Sequence, residues 1–303
     1  MLFMSRSSKL VVCIALVLFL LSGCGEKSKE TAEDADTDEA FRIPDSLLAP
    51  LEGYELVRDD YHPVRGGVMA NREIELQYPA SGIARYVAVT TFGFAIEGYR
   101  KVVKEIGKPA EGAMVLIGTK DLDEYKFLAR KEWWYYGSVV GDSIYFEPLD
   151  IMMKRGIASI GITQRIAQMA LHRRSDGRIP RWLQESFASY VAGEREILDM
   201  QVEQFRFQNA DVDPSPAVIE EMLEKTEDFQ GSRIAFYAAY RMLENTINRY
   251  SIESVYTFID ELGSGGTVDS ASREAFGMDY ESFLDTIRVD RAGTAAPDEA
   301  PRS

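Results

Sequence analysis

Glu185 and His172 carry the side chains best suited to hold a metal ion, and their scarcity frames the chemistry open to this chain. Only one other histidine, His62, and two cysteines, Cys13 and Cys24, occur in all 303 residues. A catalytic zinc site takes three protein ligands, commonly two imidazoles and a carboxylate, and keeps a fourth position open for water. Glu185 with His172 is therefore at most a partial ligand pair, and no general base accompanies them at motif spacing. No cofactor is expected, zinc included. His172 reads either as a helix-end residue suited to the negative end of the helix dipole or as part of a polar site.

Two helices joined by a tight turn must position these groups. Ile162, Ile166, Met169 and Ala170 recur at three- and four-residue spacing, which places an apolar stripe on one helix face. Ser175-Asp176-Gly177 stops that helix, and Pro180 suits the first turn of the next. Leu183, Phe187, Tyr190 and Val191 are expected to form the second helix's buried face.

The segment Arg178-Ile-Pro-Arg-Trp-Leu-Gln-Glu-Ser-Phe-Ala-Ser-Tyr190 resembles the Pro-x-Trp-Leu-x-Glu signature of peptidase-MA-like, gluzincin-type zinc metallopeptidases. That resemblance implies a preceding helix with the H-E-x-x-H motif, which sets two zinc ligands one turn apart with a general base between. It also implies that Glu185 stands where the family has its third ligand. The helix reads Arg165-Ile166-Ala167-Gln168-Met169 where the motif belongs, so both histidines and the base are replaced. A slid register, Gln168 to His172, recovers one histidine but puts Met169 in place of the base. Arg165 would repel a metal ion; it either faces solvent or pairs with Glu185 across the two helices and takes over the tying role of zinc. Ser186 and Ser189 also depart from the family pattern, and Tyr237 and Tyr240 are read as packing.

Before these helices, the resemblance implies a lobe whose strand edge binds a peptide backbone by β-augmentation, a mode that does not require the metal. Trp133-Trp134-Tyr135-Tyr136 leads into a hairpin with its turn at Gly141-Asp142 and a second strand from Ser143. Trp133, Trp134 and Tyr135 are candidate binding residues, with core packing as the plainer role. Strands are expected at 73–78, 85–91 and 113–118, and a helix from Phe94 to Ile106. Helical periodicity returns over 217–225, 234–249, 252–262 and 280–289. The fold expected is α+β and zincin-like, a small mixed-sheet lobe over 41–155 followed by a mainly helical lobe over 156–291.

The N-terminus carries Arg6 and Lys9, an apolar run from Leu10 to Leu21, and then Leu21-Ser22-Gly23-Cys24. This describes a secretory signal too short to span a membrane comfortably, and it resembles the lipobox of bacterial lipoproteins. Cleavage before Cys24 and acylation of Cys24 are implied, leaving the mature chain without a free thiol. Residues 24–40 are acidic and polar, a tether with a reach of roughly 20–25 Å if flexible. The tail at 292–303 is expected to be disordered.

A formal net charge of −15, more negative still once Arg6 and Lys9 leave with the signal, disfavours nucleic acid as a partner. Membrane attachment would then rest on the acyl chains, and Gly25 after Cys24, which does not look like an inner-membrane retention signal, weakly favours the outer membrane. Arg173, Arg174, Arg178 and Arg181 form a local basic group that is either solvated or receives an anionic partner. The run Gly263-Ser-Gly-Gly266 lacks the Lys-Ser/Thr of a phosphate loop. The function expected is a catalytically inactive, membrane-anchored envelope protein that binds or scaffolds a protein or peptide. The alternatives are a divergent metallopeptidase using Glu185 and His172, and a purely structural envelope protein.

Overall fold

The computed structural model describes residues 67–79, 85–198, 215–224 and 229–288, all within one compact unit, Ile43–Ser303. The signal, Cys24, the 24–40 tether, His62 and the 292–303 tail lie outside the described residues. The fold is α+β. A five-stranded mixed sheet is built from β1 (Gly67–Ala70), β2 (Ile74–Tyr78), β3 (Met114–Gly118), β4 (Gly137–Val140) and β5 (Ser143–Phe146). Its order is β1-β2-β3-β5-β4, with β2, β3 and β5 parallel and the two outer pairs antiparallel. The hairpin β4-turn-β5 thus leaves β4 as an edge strand.

Between β2 and β3 runs α1 (Arg85–Glu105), a 21-residue helix that takes in the whole β-branched segment expected to be a strand over 85–91. Tertiary packing overrides the propensity of Val87, Val89, Thr90 and Thr91. Val87, Ala88, Phe92, Ala95, Ile96 and Val102 recur at helical spacing and are buried. Two short helices follow their strands, α2 (Leu122–Ala129) and α3 (Leu149–Lys154). Asp121 caps α2 by accepting the Glu124 N–H at 2.8 Å, and left-handed Arg130 (φ 52°) turns the chain out of it. A single 3-10 turn, Trp133–Tyr135, leads into β4, so this aromatic run is not part of the strand itself.

The central pair is α4 (Ala158–Arg174) and α5 (Arg181–Ala192). Gly177 (φ 72°) and Asp176 (φ 52°) are both left-handed in the turn between them. Helix α4 is buried on every side from Gly161 to Leu171, polar residues included. On α5, Trp182, Leu183, Phe187 and Val191 are buried, but Tyr190 is 44% exposed and does not belong to the core face. Helices α6 (Pro216–Glu224), α7 (Phe229–Tyr250), α8 (Ile252–Gly263), α9 (Val268–Phe276) and α10 (Tyr280–Thr286) complete the described structure. Helix α9 was not expected; its cap is Thr267, whose hydroxyl accepts the Ser270 N–H at 3.1 Å. Stacked rings of Phe258, Phe276, Phe283 and Tyr280 fasten the last helices, and Tyr280 accepts the Trp182 indole N–H at 2.8 Å. That bond ties the first turn of α5 to the far end of the helical array.

Candidate functional site

The face of α4 turned toward α5 carries Gln164 and Gln168, one helical turn apart, and α5 answers with Ser189 and Glu185. Gln168 donates its side-chain amide to Glu185 Oε2, and Gln164 donates to Ser189 Oγ at 2.8 Å. Arg165 threads between the glutamines. Its Nη1 donates to Gln168 Oε1 at 2.5 Å, its Nη2 to Gln164 Oε1 at 3.1 Å, and Nη1 lies 3.6 Å from Glu185 Oε2. Beyond the α5 C-terminus, Glu194 closes the other end. It accepts from Gln164 Nε2 at 3.2 Å, Ser189 Oγ at 2.8 Å and the Tyr136 hydroxyl at 2.8 Å.

The result is a continuous buried relay, Glu185–Gln168–Arg165–Gln164–Glu194, with a carboxylate at each end and a cation in the middle. The side chains of Arg165 and Glu185 are only 4% and 8% exposed. Buried charges are tolerated when they are paired and hydrogen-bonded, and here two amides accept from both terminal nitrogens of the guanidinium, while its Nε has no partner among the described residues. Tyr136 is held left-handed (φ 36°) over this centre, with Arg165 5.8 Å from its ring. Burial, reinforced by Glu194, pushes the Tyr136 hydroxyl's ionisation far upward, so it serves Glu194 as a neutral donor.

Gly137 is required by this arrangement. A Cβ there would stand 2.9 Å from Arg165 Cγ and 2.8 Å from a Phe146 ring carbon. The start of β4 therefore rests directly on the aliphatic stem of Arg165.

Among the residues expected at the site, Arg165 meets Glu185, joined there by Gln168, and Gln164 turns to Ser189 and Glu194, whereas Ile166 (0% exposed) and Met169 (6%) are buried in the hydrophobic core. The reason is helical rotation: Ile162, Ile166 and Met169 share the core stripe, and Gln164 and Gln168 lie off it. Arg165 is buried against Glu185 and does not face solvent. His172 is exposed in the last turn of α4, and its ring lies against Gly177. Glu194 was not expected; its one sequence signal is its place directly after the helix-ending Gly193.

Beside the relay opens a cleft of about 360 Å³ lined by β4 on one wall and by α4 and α5 on the other. Arg165, Gln168, His172 and Glu185 line it, with Lys131, Tyr135, Arg181 and Gln184 at its sides. Tyr135 is buried, its hydroxyl 3.2 Å from Ser232 Oγ, while Trp134 packs edge-on to Phe229 and does not line the cleft. The Trp133 side chain lies outside the described residues. Pairing of β4 with β5 places Val140 opposite Ser143 across the two-residue turn and Ser138 opposite Tyr145. Tyr136 O accepts the Glu147 N–H at 3.1 Å, continuing the same alternation. The N–H and C=O groups of Gly137 and Val139 therefore point away from β5, toward the free edge.

The donor set does not fit a metal ion. Both glutamine oxygens are taken by Arg165, and the guanidinium stands against Glu185, where a metal would need a bare carboxylate. Among the described residues, no group of three or more His, Cys, Asp or Glu side chains could hold one. Nor is any described helix long and apolar enough to cross a membrane. No family model, curated protein or solved structure matches the chain.

Proposed function

We propose that this chain is a lipid-anchored envelope protein with a peptidase-MA-like, zincin-like fold, in which the Arg165 relay has replaced the metal centre and the β4 edge binds an extended peptide segment. The observation that carries this reading is the Arg165–Glu185 pair buried beside an open, strand-edged cleft. Gln164, Arg165 and Gln168 hold the three H-E-x-x-H positions and Glu185 the third-ligand position, so the chemistry is gone while the groove beside it persists. An edge strand with outward N–H and C=O groups next to side-chain pockets is the architecture that β-augmentation uses. The anchoring half of the proposal rests on Arg6, Lys9, the apolar run and Leu21-Ser22-Gly23-Cys24.

The test is an array of extended peptides probed with the full chain, wild type against Val139→Pro. Proline is tolerated on an edge strand where its missing N–H faces outward, so the fold should persist while one ladder bond to the ligand is lost. Ser138→Pro, which removes an inward N–H, should instead destabilise the hairpin. Wild-type binding that Val139→Pro abolishes without a change in unfolding supports the proposal. A wild-type chain that binds no peptide would favour a purely structural role.

A further inference from the structure

The same cleft has a charge pattern opposite to the rest of the molecule. The chain carries 49 acidic against 34 basic residues, yet the cleft is lined by Lys131, Arg165, Arg181 and His172 against a single carboxylate, Glu185. Glu185 and Arg165 satisfy each other, which leaves Lys131 and Arg181 as the cations that set the character of the opening.

Neither of these two forms an ion pair with a carboxylate among the described residues, and their neighbours show how unusual that is. The other arginines around the α4–α5 turn are all engaged. Arg174 grips Asp260 through Nε at 2.6 Å and Nη2 at 2.8 Å, Arg178 holds Asp176 at 3.0 Å, and Arg173 pairs with Glu111. Arg181 instead turns into the cleft from the first turn of α5. Glu220, which feels the Arg181 charge, spends an oxygen on the Trp182 N–H at 3.0 Å. Lys131 arrives from the opposite wall, its ammonium 5.0 Å above the Tyr135 ring. Burial, with Arg181 and Arg165 close by and Glu185 opposing them, pulls the Lys131 ammonium down to about 8. Two cations from different elements share one partly desolvated opening, where the one lining carboxylate, Glu185, is already held by Arg165 and Gln168, and an anion seated between them would relieve their mutual repulsion.

We infer that the cleft selects an extended peptide that places an acidic side chain, Asp or Glu, between Lys131 and Arg181. This rests on the peptide-binding reading above and names its specificity. The source of the carboxylate follows from the strand beside it. A segment paired with Gly137 and Val139 sends alternate side chains into the cleft between Arg181 on α5 and Lys131 opposite it, and a cleft of about 360 Å³ accommodates a few such side chains. Arg181 offers a planar fork to a carboxylate and Lys131 a rotatable ammonium, so together they take both of its oxygens.

The experiment uses the full chain in detergent micelles and a positional-scanning library of hexapeptides, acetylated at the N-terminus and amidated at the C-terminus. Asp and Glu should be enriched at one position, and replacing that residue by Gln or Asn should weaken binding by about tenfold or more. Lys131→Ala and Arg181→Ala should each erase the enrichment with the unfolding midpoint unchanged. The pair Lys131→Glu with Arg181→Glu should turn the preference to Lys and Arg. Peptide binding with no acidic preference, a preference that survives both alanine substitutions, or binding that requires a free terminal carboxylate would each overturn the inference while leaving peptide binding intact. Failure of every peptide to bind overturns the underlying reading as well.

Discussion

The Arg165 guanidinium lies 3.6 Å from the Glu185 carboxylate with both side chains withdrawn from water, and Gln168 bonds to each of them. Breaking such a pair by removing one member leaves an uncompensated buried charge, which costs about 3–5 kcal/mol, whereas replacing both by apolar groups of similar size is close to neutral. Arg165→Ala and Glu185→Ala should each lower the urea unfolding free energy by that order. Arg165→Met combined with Glu185→Leu should recover most of it. A double variant whose loss equals the sum of the two single losses would show that the pair does not act as a unit.

The proposed replacement of a metal centre by the relay can be tested in reverse. Gln164→His, Arg165→Glu and Gln168→His together install two imidazoles one turn apart, a carboxylate between them, and a Glu185 freed of its guanidinium. The triple variant should bind about one zinc per chain by elemental analysis of the dialysed protein, as the H-E-x-x-H arrangement does. The shifted set Arg165→His, Ile166→Glu and Met169→His should bind none and should fold poorly, because it puts charge and polarity into the core at Ile166 and Met169.

Close approach at Gly137 predicts a steric effect on the relay. Gly137→Val would drive a branched side chain into Arg165 Cγ and the Phe146 ring, and overpacking of this kind costs about 1–3 kcal/mol. Urea unfolding should show that loss. Gly112→Val, where a Cβ meets nothing within 4 Å, is the control and should change stability far less.

Glu147 gives the pH dependence. It is fully buried next to Arg155, which donates to it at 2.8 and 3.0 Å, and burial, only partly opposed by Arg155, pushes its carboxyl up to about 7 from the ordinary 4.5. Between those two values the folded chain holds a proton that the unfolded chain has released. The contribution of this group is therefore fully present below the unfolded value and is lost as pH rises through the folded one, with a slope of at most about 1.4 kcal/mol per pH unit. Unfolding curves from pH 5 to 8 should show that fall, and Glu147→Gln should flatten it.

Much of the frame was legible in the sequence because it rests on local signals. Periodicity and the Asp176-Gly177 stop mark α4 and α5, and Gly141-Asp142 marks the hairpin. What escaped was decided by long-range packing. Val87 and Thr91 look like strand residues in isolation and are helical because α1 lies against α4. The polar face of α4 was only partly legible because glutamine carries no ligand signature, so Arg165 stood out while Gln164 and Gln168 did not. Glu194 was invisible for another reason. Its carboxylate reaches Gln164, 30 positions away in the chain, only after α5 ends and the backbone turns at Gly193.

The brevity of β4 has a consequence for time. With four residues and only Gly137 and Val139 facing outward, the edge offers a visiting strand a handful of ladder bonds. Affinity differences within one interface fall mainly on the dissociation rate, so a short edge means short residence. The side chain held at Arg181 and Lys131 would then decide how long each visitor stays, and the protein would survey many segments in quick succession instead of sequestering one.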